Sequence, residues 1–306
     1  MKLATTTGDF RFCPDYAEQI QALYDAGFRY IDLSMYSPAS DDALLKAENW
    51  REEAARLKAL ADRLGMVFAQ AHSPAGNPLD EEKQDALVEI TIRSIEVCGY
   101  LGIPNIVVHA GWERDKTKDV GKKEYYERNR AFFRRLFPAM EKNNVNVLVE
   151  NSTRANMGSR YYLYTGADMR EFIEYVDHPL FHGCWDTGHG NCEGGQYEHL
   201  VALGEHLYGV HINDNRGERD EHLLPFFGTL NMDDVMHGLL DANYRGIFTF
   251  EASSSLRPAK YWLGNRRSFA EDTRLAEPTL FMQEEVERLL YRMGEYILKA
   301  YDCFEE

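Results

Sequence analysis

Short apolar runs alternate with longer amphipathic stretches along the whole chain, and their two periodicities assign them to strands and helices. Lys2–Thr6 predicts a strand, and Tyr16–Ala26, with Ile20, Leu23 and Tyr24 at helical spacing before Gly27, predicts a helix. The pattern repeats as strand Tyr30–Leu33, helix Leu45–Leu64 and strand Met66–His72, the last stopped by Ser73-Pro74 where proline cannot continue a ladder. Helix Glu81–Leu101 breaks at Gly102-Ile103-Pro104, and Asn105–His109 is a continuous apolar run of the kind buried on both faces of a parallel sheet. Lys123–Asn143 predicts a long helix that Pro138 kinks or interrupts. Strands at Asn146–Glu150, Phe181–Asp186, Leu207–Ile212 and Gly246–Glu251 follow, separated by helices at Ala167–Tyr175, Tyr197–Leu203 and Met232–Ala242. An insertion from Ala252 to about Met282 precedes a last amphipathic helix, Gln283–Lys299.

Eight strands, each followed by a helical stretch, predict an α/β fold of the (β/α)8 TIM barrel class, one domain over residues 1–306 with the insertion at about 252–282. A doubly wound open sheet is the competing architecture, but no glycine-rich phosphate loop follows an early strand. In a barrel, chemistry collects at the carboxyl ends of the strands.

Those ends read His72, His109, Glu150, Asp186, His211 and Glu251, separated by 37, 41, 36, 25 and 40 residues, each near the length of one βα unit. A single strand-ending histidine is ordinarily a hydrogen-bonded core residue, and a single terminal glutamate ordinarily faces solvent. Six in register differ, because carboxylates and imidazoles gathered together are costly to bury unless a cation compensates them. His189 and the Asp220/His222 pair, in the charged stretch His211–His222, fall in loops above the same rim. Nitrogen and oxygen ligands without thiolate point to a divalent metal of the zinc or manganese type and disfavour calcium.

Composition narrows the partners. A formal charge of −16, from 34 Lys+Arg against 50 Asp+Glu, opposes binding to a polyanion, so no nucleic-acid partner is expected. The basic run Lys116–Lys123 reads as a solvated loop. Five scattered cysteines without a Cys-x-x-Cys pair argue against a disulfide framework and a thiolate zinc site. The amino-terminal stretch lacks the apolar core of a signal peptide, and no apolar run reaches membrane-spanning length, so a cytoplasmic protein without a membrane partner is expected.

The motifs AHSP at 71–74, VVHAG at 107–111, VEN at 149–151, WDTGHGN at 185–191, HINDN at 211–215, DEH at 220–222 and FEAS at 250–253 together resemble the xylose isomerase-like TIM barrel superfamily. Within it they are similar to the sugar phosphate isomerase/epimerase group that shares its fold with endonuclease IV. The resemblance implies that Glu150, Asp186, His211 and Glu251 hold one metal, with the two glutamates also moving the proton. It further implies that His72 and His109 join Glu150 at a second metal, and His189, Asp220 and His222 form a third.

The expected function is therefore a metal-dependent isomerase or epimerase of a small sugar, sugar phosphate or related ketone, working through a metal-stabilised enediolate. Glu150 and Glu251 are the expected catalytic acid and base. His189 is expected to bind substrate oxygens, and Arg216 could read a phosphate, although a surface salt bridge is the commoner fate of such an arginine. The alternatives are an endonuclease IV-like phosphoester hydrolase with a multinuclear zinc site and a dehydratase on the same scaffold. The insertion, with Arg257, Tyr261, Trp262, Arg266 and Arg267, could form a lid or a homodimer contact.

Overall fold

The computed structural model describes residues 1–10, 13, 15–38, 42–115, 120–158, 160–252, 256 and 278–305. Eight strands form one parallel sheet: β1 (Lys2–Thr6), β2 (Tyr30–Ser34), β3 (Val67–His72), β4 (Asn105–Val107), β5 (Asn146–Glu150), β6 (Phe181–Asp186), β7 (Leu207–His211) and β8 (Ile247–Phe250). The sheet runs β7-β6-β5-β4-β3-β2-β1-β8. A parallel bridge between Ile212 and Phe250 joins its two outer strands, with Ile212 N donating to Thr249 O at 2.8 Å and Glu251 N to Ile212 O at 3.1 Å. The eight strands thus close into a barrel.

Among the described residues, eleven α-helices lie between or beside the strands. They are α1 (Tyr16–Ala26), α2 (Trp50–Leu64), α3 (Gln84–Leu101), α4 (Lys122–Arg134), α5 (Phe137–Asn143), α6 (Arg154–Met157), α7 (Gly166–Val176), α8 (Thr187–Glu193), α9 (Tyr197–Leu203), α10 (Met232–Asp241) and α11 (Leu280–Ala300). No described helix is long and apolar enough to cross a membrane.

Several boundaries differ from the sequence pattern for local reasons. The expected helix from Leu45 starts only at Trp50, because Asp42 Oδ1 accepts from the amides of Leu44 and Leu45 at 3.0 and 2.9 Å and holds a turn there. Pro138 does not kink one long helix; it sits in the first turn of α5, where its missing N–H needs no partner, and α4 ends separately at Arg134. β4 stops at Val107, two residues before His109. Residues 116–119 of the basic run and residues 253–255 and 257–277 of the insertion, including Arg257, Tyr261, Trp262, Arg266 and Arg267, lie outside the described residues.

The large core lies between the strands' outer faces and the helices, and holds Trp185 and most of the buried phenylalanines. A smaller one, Val107, Leu148 and Cys184, fills the barrel interior. Strand alternation then sets every second residue of β5, β6 and β7 on that inner face, so Glu150, Asp186 and His211 rise above Leu148, Cys184 and Gly209. Gly209 is where this filling needs a glycine: a Cβ there would stand 2.6 Å from Gln70 Oε1 and 2.7 Å from Leu148 Cδ1. The packed floor beneath the rim is what positions the site.

Candidate metal centre

β3, β5, β6 and β7 end on His72, Glu150, Asp186 and His211, while Glu251 follows β8 directly. Asp186 has a second duty as the N-cap of α8, its Oδ1 accepting from His189 N at 2.6 Å. One carboxylate therefore fixes both its own direction and the start of the turn that carries His189.

The loop after β7 is tied down by Asp214, whose carboxylate accepts from Gly228 N at 2.8 Å and Leu230 N at 2.9 Å. It returns Asp220 and His222 over the rim. His222 has φ 49°, a left-handed conformation uncommon for a side chain of this size, and its Nδ1 lies 2.9 Å from Glu251 O.

Four overlapping groups of side chains result, each with donor atoms within 4.8 Å of one another: Glu150, Asp186, His211 and Glu251; His72, His109 and Glu150; His189, Asp220 and His222; and Glu150, Cys184 and His211. In the first, His211 Nδ1 stands 2.5 Å from Glu150 Oε1 and 3.3 Å from Glu251 Oε2. In the second, His109 Nε2 is 2.6 Å from Glu150 Oε2 and 3.2 Å from His72 Nε2. In the third, Asp220 Oδ2 is 3.1 Å from His189 Nε2 and 3.0 Å from His222 Nε2. Glu150 links the first two groups, and His189 Nδ1, 3.5 Å from Asp186 Oδ1, links the first and third.

The electrostatics follow from gathering these groups out of water. Burial alone would raise the Glu150 carboxyl, but the imidazoles of His211, His109 and His72 hold it well below the ordinary carboxylate range. Burial raises Asp186 to about 6 against the pull of His189. Burial works against the charged forms of His189, His211 and His222, yet the acidic groups around them prevail, Cys184 and then Glu251 and Glu150 at His211 and carboxylates at the other two, and all three are raised, His189 to about 10. His109 goes the other way, because its burial outweighs Glu150. Cys184, beneath the rim, is pushed up to about 12 by burial. Carboxylates and imidazoles without thiolate match a divalent ion of the zinc or manganese type, so the residues present fit the metal their pattern implies.

All nine ligand-type residues expected from the sequence thus meet at one rim. Arg216 is held instead by Glu221, which pairs with its guanidinium and accepts from its backbone amide at 3.0 Å. Sequence reading missed the polar residues behind the ligands. Asn213 Nδ2 donates to Asp186 Oδ2 at 2.7 Å, Asn151 Oδ1 accepts from Asp186 N at 2.6 Å, and Asn156 Nδ2 donates to Asp220 Oδ2 at 3.0 Å. Asp32 Oδ2 lies 3.4 Å from His211 Nε2. For Asp32 a signal was available: Asp32 in YIDL and Gln70 in VFAQAH are polar residues inside apolar strands.

Comparison with known proteins gives a match between residues 20–272 and the family model described as xylose isomerase-like TIM barrel. The uncharacterized protein y4fM of Sinorhizobium fredii is 31% identical over 172 residues, 54% of this chain and 52% of its own length. The probable endonuclease 4 of Ureaplasma urealyticum is 27% identical over 179 residues, 53% of this chain and 56% of its own. The match thus spans only about half the length of either relative. Among solved structures, D-psicose 3-epimerase with D-tagatose from Clostridium cellulolyticum H10 superposes with a TM-score of 0.71 at 18% identity, covering 97% of this chain and 99% of that one. The IOLI protein with a binding zinc atom gives 0.74 at 15% identity over 100% of both chains. At these identities the structures establish a shared fold.

Proposed function

The chain belongs to the xylose isomerase-like TIM barrel family, and from that premise we propose that it is a metal-dependent isomerase or epimerase of a small sugar, sugar phosphate or related ketone. The observation that carries this reading is the quartet Glu150, Asp186, His211 and Glu251, gathered within 4.8 Å at the carboxyl end of the barrel. A zinc or manganese ion held there would supply Lewis-acid stabilisation where negative charge develops on the substrate's oxygens.

The chain's own residues would do the rest. Glu150 and Glu251 form the acid–base pair. The Glu251 side chain is 22% exposed and reachable from the mouth, as a group taking a proton from carbon must be, whereas Glu150 is 1% exposed with both oxygens held by imidazoles. His189 would bind substrate oxygens, and Arg216 would reach a phosphate only once its pair with Glu221 opens. The fold shared with D-psicose 3-epimerase supports a small-sugar substrate, and the fold shared with the IOLI protein, which binds a zinc atom, supports a metal. Returning the proton to the other face, returning it to the next carbon, or expelling a β-hydroxyl gives epimerase, isomerase or dehydratase, and removal of the α-proton is common to all three.

A second reading, an endonuclease IV-like phosphoester hydrolase with a multinuclear zinc site, is favoured by the two further ligand groups beside the quartet and by the likeness to the probable endonuclease 4. Metal content per chain, α-proton exchange in deuterated water over a sugar panel, and the Glu251→Gln variant separate the two. One metal per chain, with exchange reduced at least about 100-fold in E251Q, is the expected result. Three metals and cleavage of a model phosphodiester would replace the first reading with the second. No metal after addition of zinc or manganese would remove both.

A further inference from the structure

Asp32 lies in the barrel interior on β2 and is 1% exposed. The pairing of β2 with β3 shifts register between Ile31 and Asp32, a bulge of the kind that re-aims a side chain, and Asp32 then pairs with Gln70. Gln70 Nε2 donates to Asp32 Oδ2 at 3.0 Å, and the same oxygen stands 3.4 Å from His211 Nε2. Among the described residues, His211 is the only group able to carry positive charge that is paired with Asp32.

The His211 ring accordingly has a different carboxylate on each nitrogen. Nδ1 faces Glu150 and Glu251, where a cation would sit, and Nε2 faces Asp32. The Asp32 carboxylate beside Nε2, a charge contact longer than a hydrogen bond, favours the tautomer with its proton there, which leaves the Nδ1 lone pair free and makes the imidazole a better donor. A buried carboxylate so placed is otherwise hard to account for, because an apolar residue would fill the space without the cost of desolvating a charge.

We infer that Asp32, held by Gln70, is a positioning residue that sets the tautomer of His211 for a divalent cation at Nδ1. The inference rests on the metal reading proposed above. Asp32 touches no substrate; it acts through His211.

The test is zinc affinity, measured by competition against a chelator of known strength, for the wild type, Asp32→Asn and Gln70→Met, together with thermal melting of each protein after metal removal. D32N is expected to bind zinc about 10–100-fold more weakly, while its metal-free form melts at the same temperature as wild type or higher. Q70M, which leaves the carboxylate but removes its holder, is expected to lose affinity in the same direction by less, and it serves if D32N does not fold. The visible absorption of the cobalt-loaded protein should also shift in D32N, because the donor strength of His211 has changed. A merely structural Asp32 would show the reverse: metal-free melting falls, while zinc affinity and the cobalt spectrum stay as in wild type. That outcome overturns the inference alone, since wild type still binds metal. A wild type that binds neither zinc nor manganese overturns the metal reading, and this inference with it.

Discussion

At the scale of single residues, most of the ligand-type residues were legible because they close an apolar run or sit in a short charged loop, whereas most of the groups that aim them were not. Glu150 and Asp186 announce themselves as acids at the end of NVLVE and FHGCWD. Asn213 does not, since nothing in HINDN says that its amide reaches back to Asp186 Oδ2 at 2.7 Å. Gly188 shows how tight that support is: a Cβ there would fall 1.9 Å from Asn213 Oδ1 and 3.1 Å from Asn215 Nδ2. Gly188→Ala should therefore push the Asn213 amide off Asp186, destabilising the protein by about 1–3 kcal/mol as an overpacked site does. Zinc affinity should fall with it. Denaturant unfolding of the metal-free variant and a zinc titration read the two effects. A G188A protein equal to wild type in both would mean that the Asn213–Asp186 contact is not held by this close approach.

At the scale of elements, helical periodicity located α11 but hid what its inner face carries. Gln283, Glu287, Leu290, Gly294, Ile297 and Leu298 are its buried residues, so a glutamate shares the stripe with leucine and isoleucine. Read alone, such a position passes for a surface acid on an amphipathic helix. In the fold Glu287 is fully buried against β1, where Thr5 Oγ1 donates to its Oε2 at 3.3 Å and Gln283 Nε2 to its Oε1 at 2.8 Å. Burial pushes its carboxyl up to about 7, against contacts with Asp9, Gln283 and Thr5 that pull it down. The folded state thus binds this proton more tightly than the unfolded chain, whose glutamate titrates near 4.5. The stabilisation is complete below about 4.5 and is lost as pH rises through about 7. Glu287→Gln, which is neutral at every pH, should be more stable than wild type on the alkaline side by on the order of 3 kcal/mol, and the gap should shrink toward pH 5. Urea unfolding of both proteins at pH 5 and pH 8, in chelator so that metal binding does not contribute, measures this. A gap independent of pH would show that Glu287 does not titrate in that range.

At the scale of the whole molecule, the repeated strand–helix period made the barrel legible, because eight buried parallel strands have few ways to cover both faces. The contact that closes it was not legible, since Ile212 and Phe250 meet just beyond the regular end of β7. Closure brings Glu150, Asp186, Asp220 and Glu251, four of the acids that contribute to the chain's charge of −16, to one rim. A cation that binds only the folded barrel should then stabilise the entire fold. At a free zinc or manganese concentration 100 times the dissociation constant the gain is about 2.7 kcal/mol, which for a chain of this size raises the melting temperature by roughly 5 °C. Chelator treatment should reverse it, and magnesium at equal concentration should stabilise less, because it accepts imidazole donors poorly. Thermal melts of chelated, zinc-loaded and magnesium-loaded protein decide the point. Equal stabilisation by zinc and magnesium would mean that the ions relieve general surface repulsion and the histidines take no part, whereas a gain confined to zinc and manganese, and diminished in Glu251→Gln, requires the rim itself as the binding site.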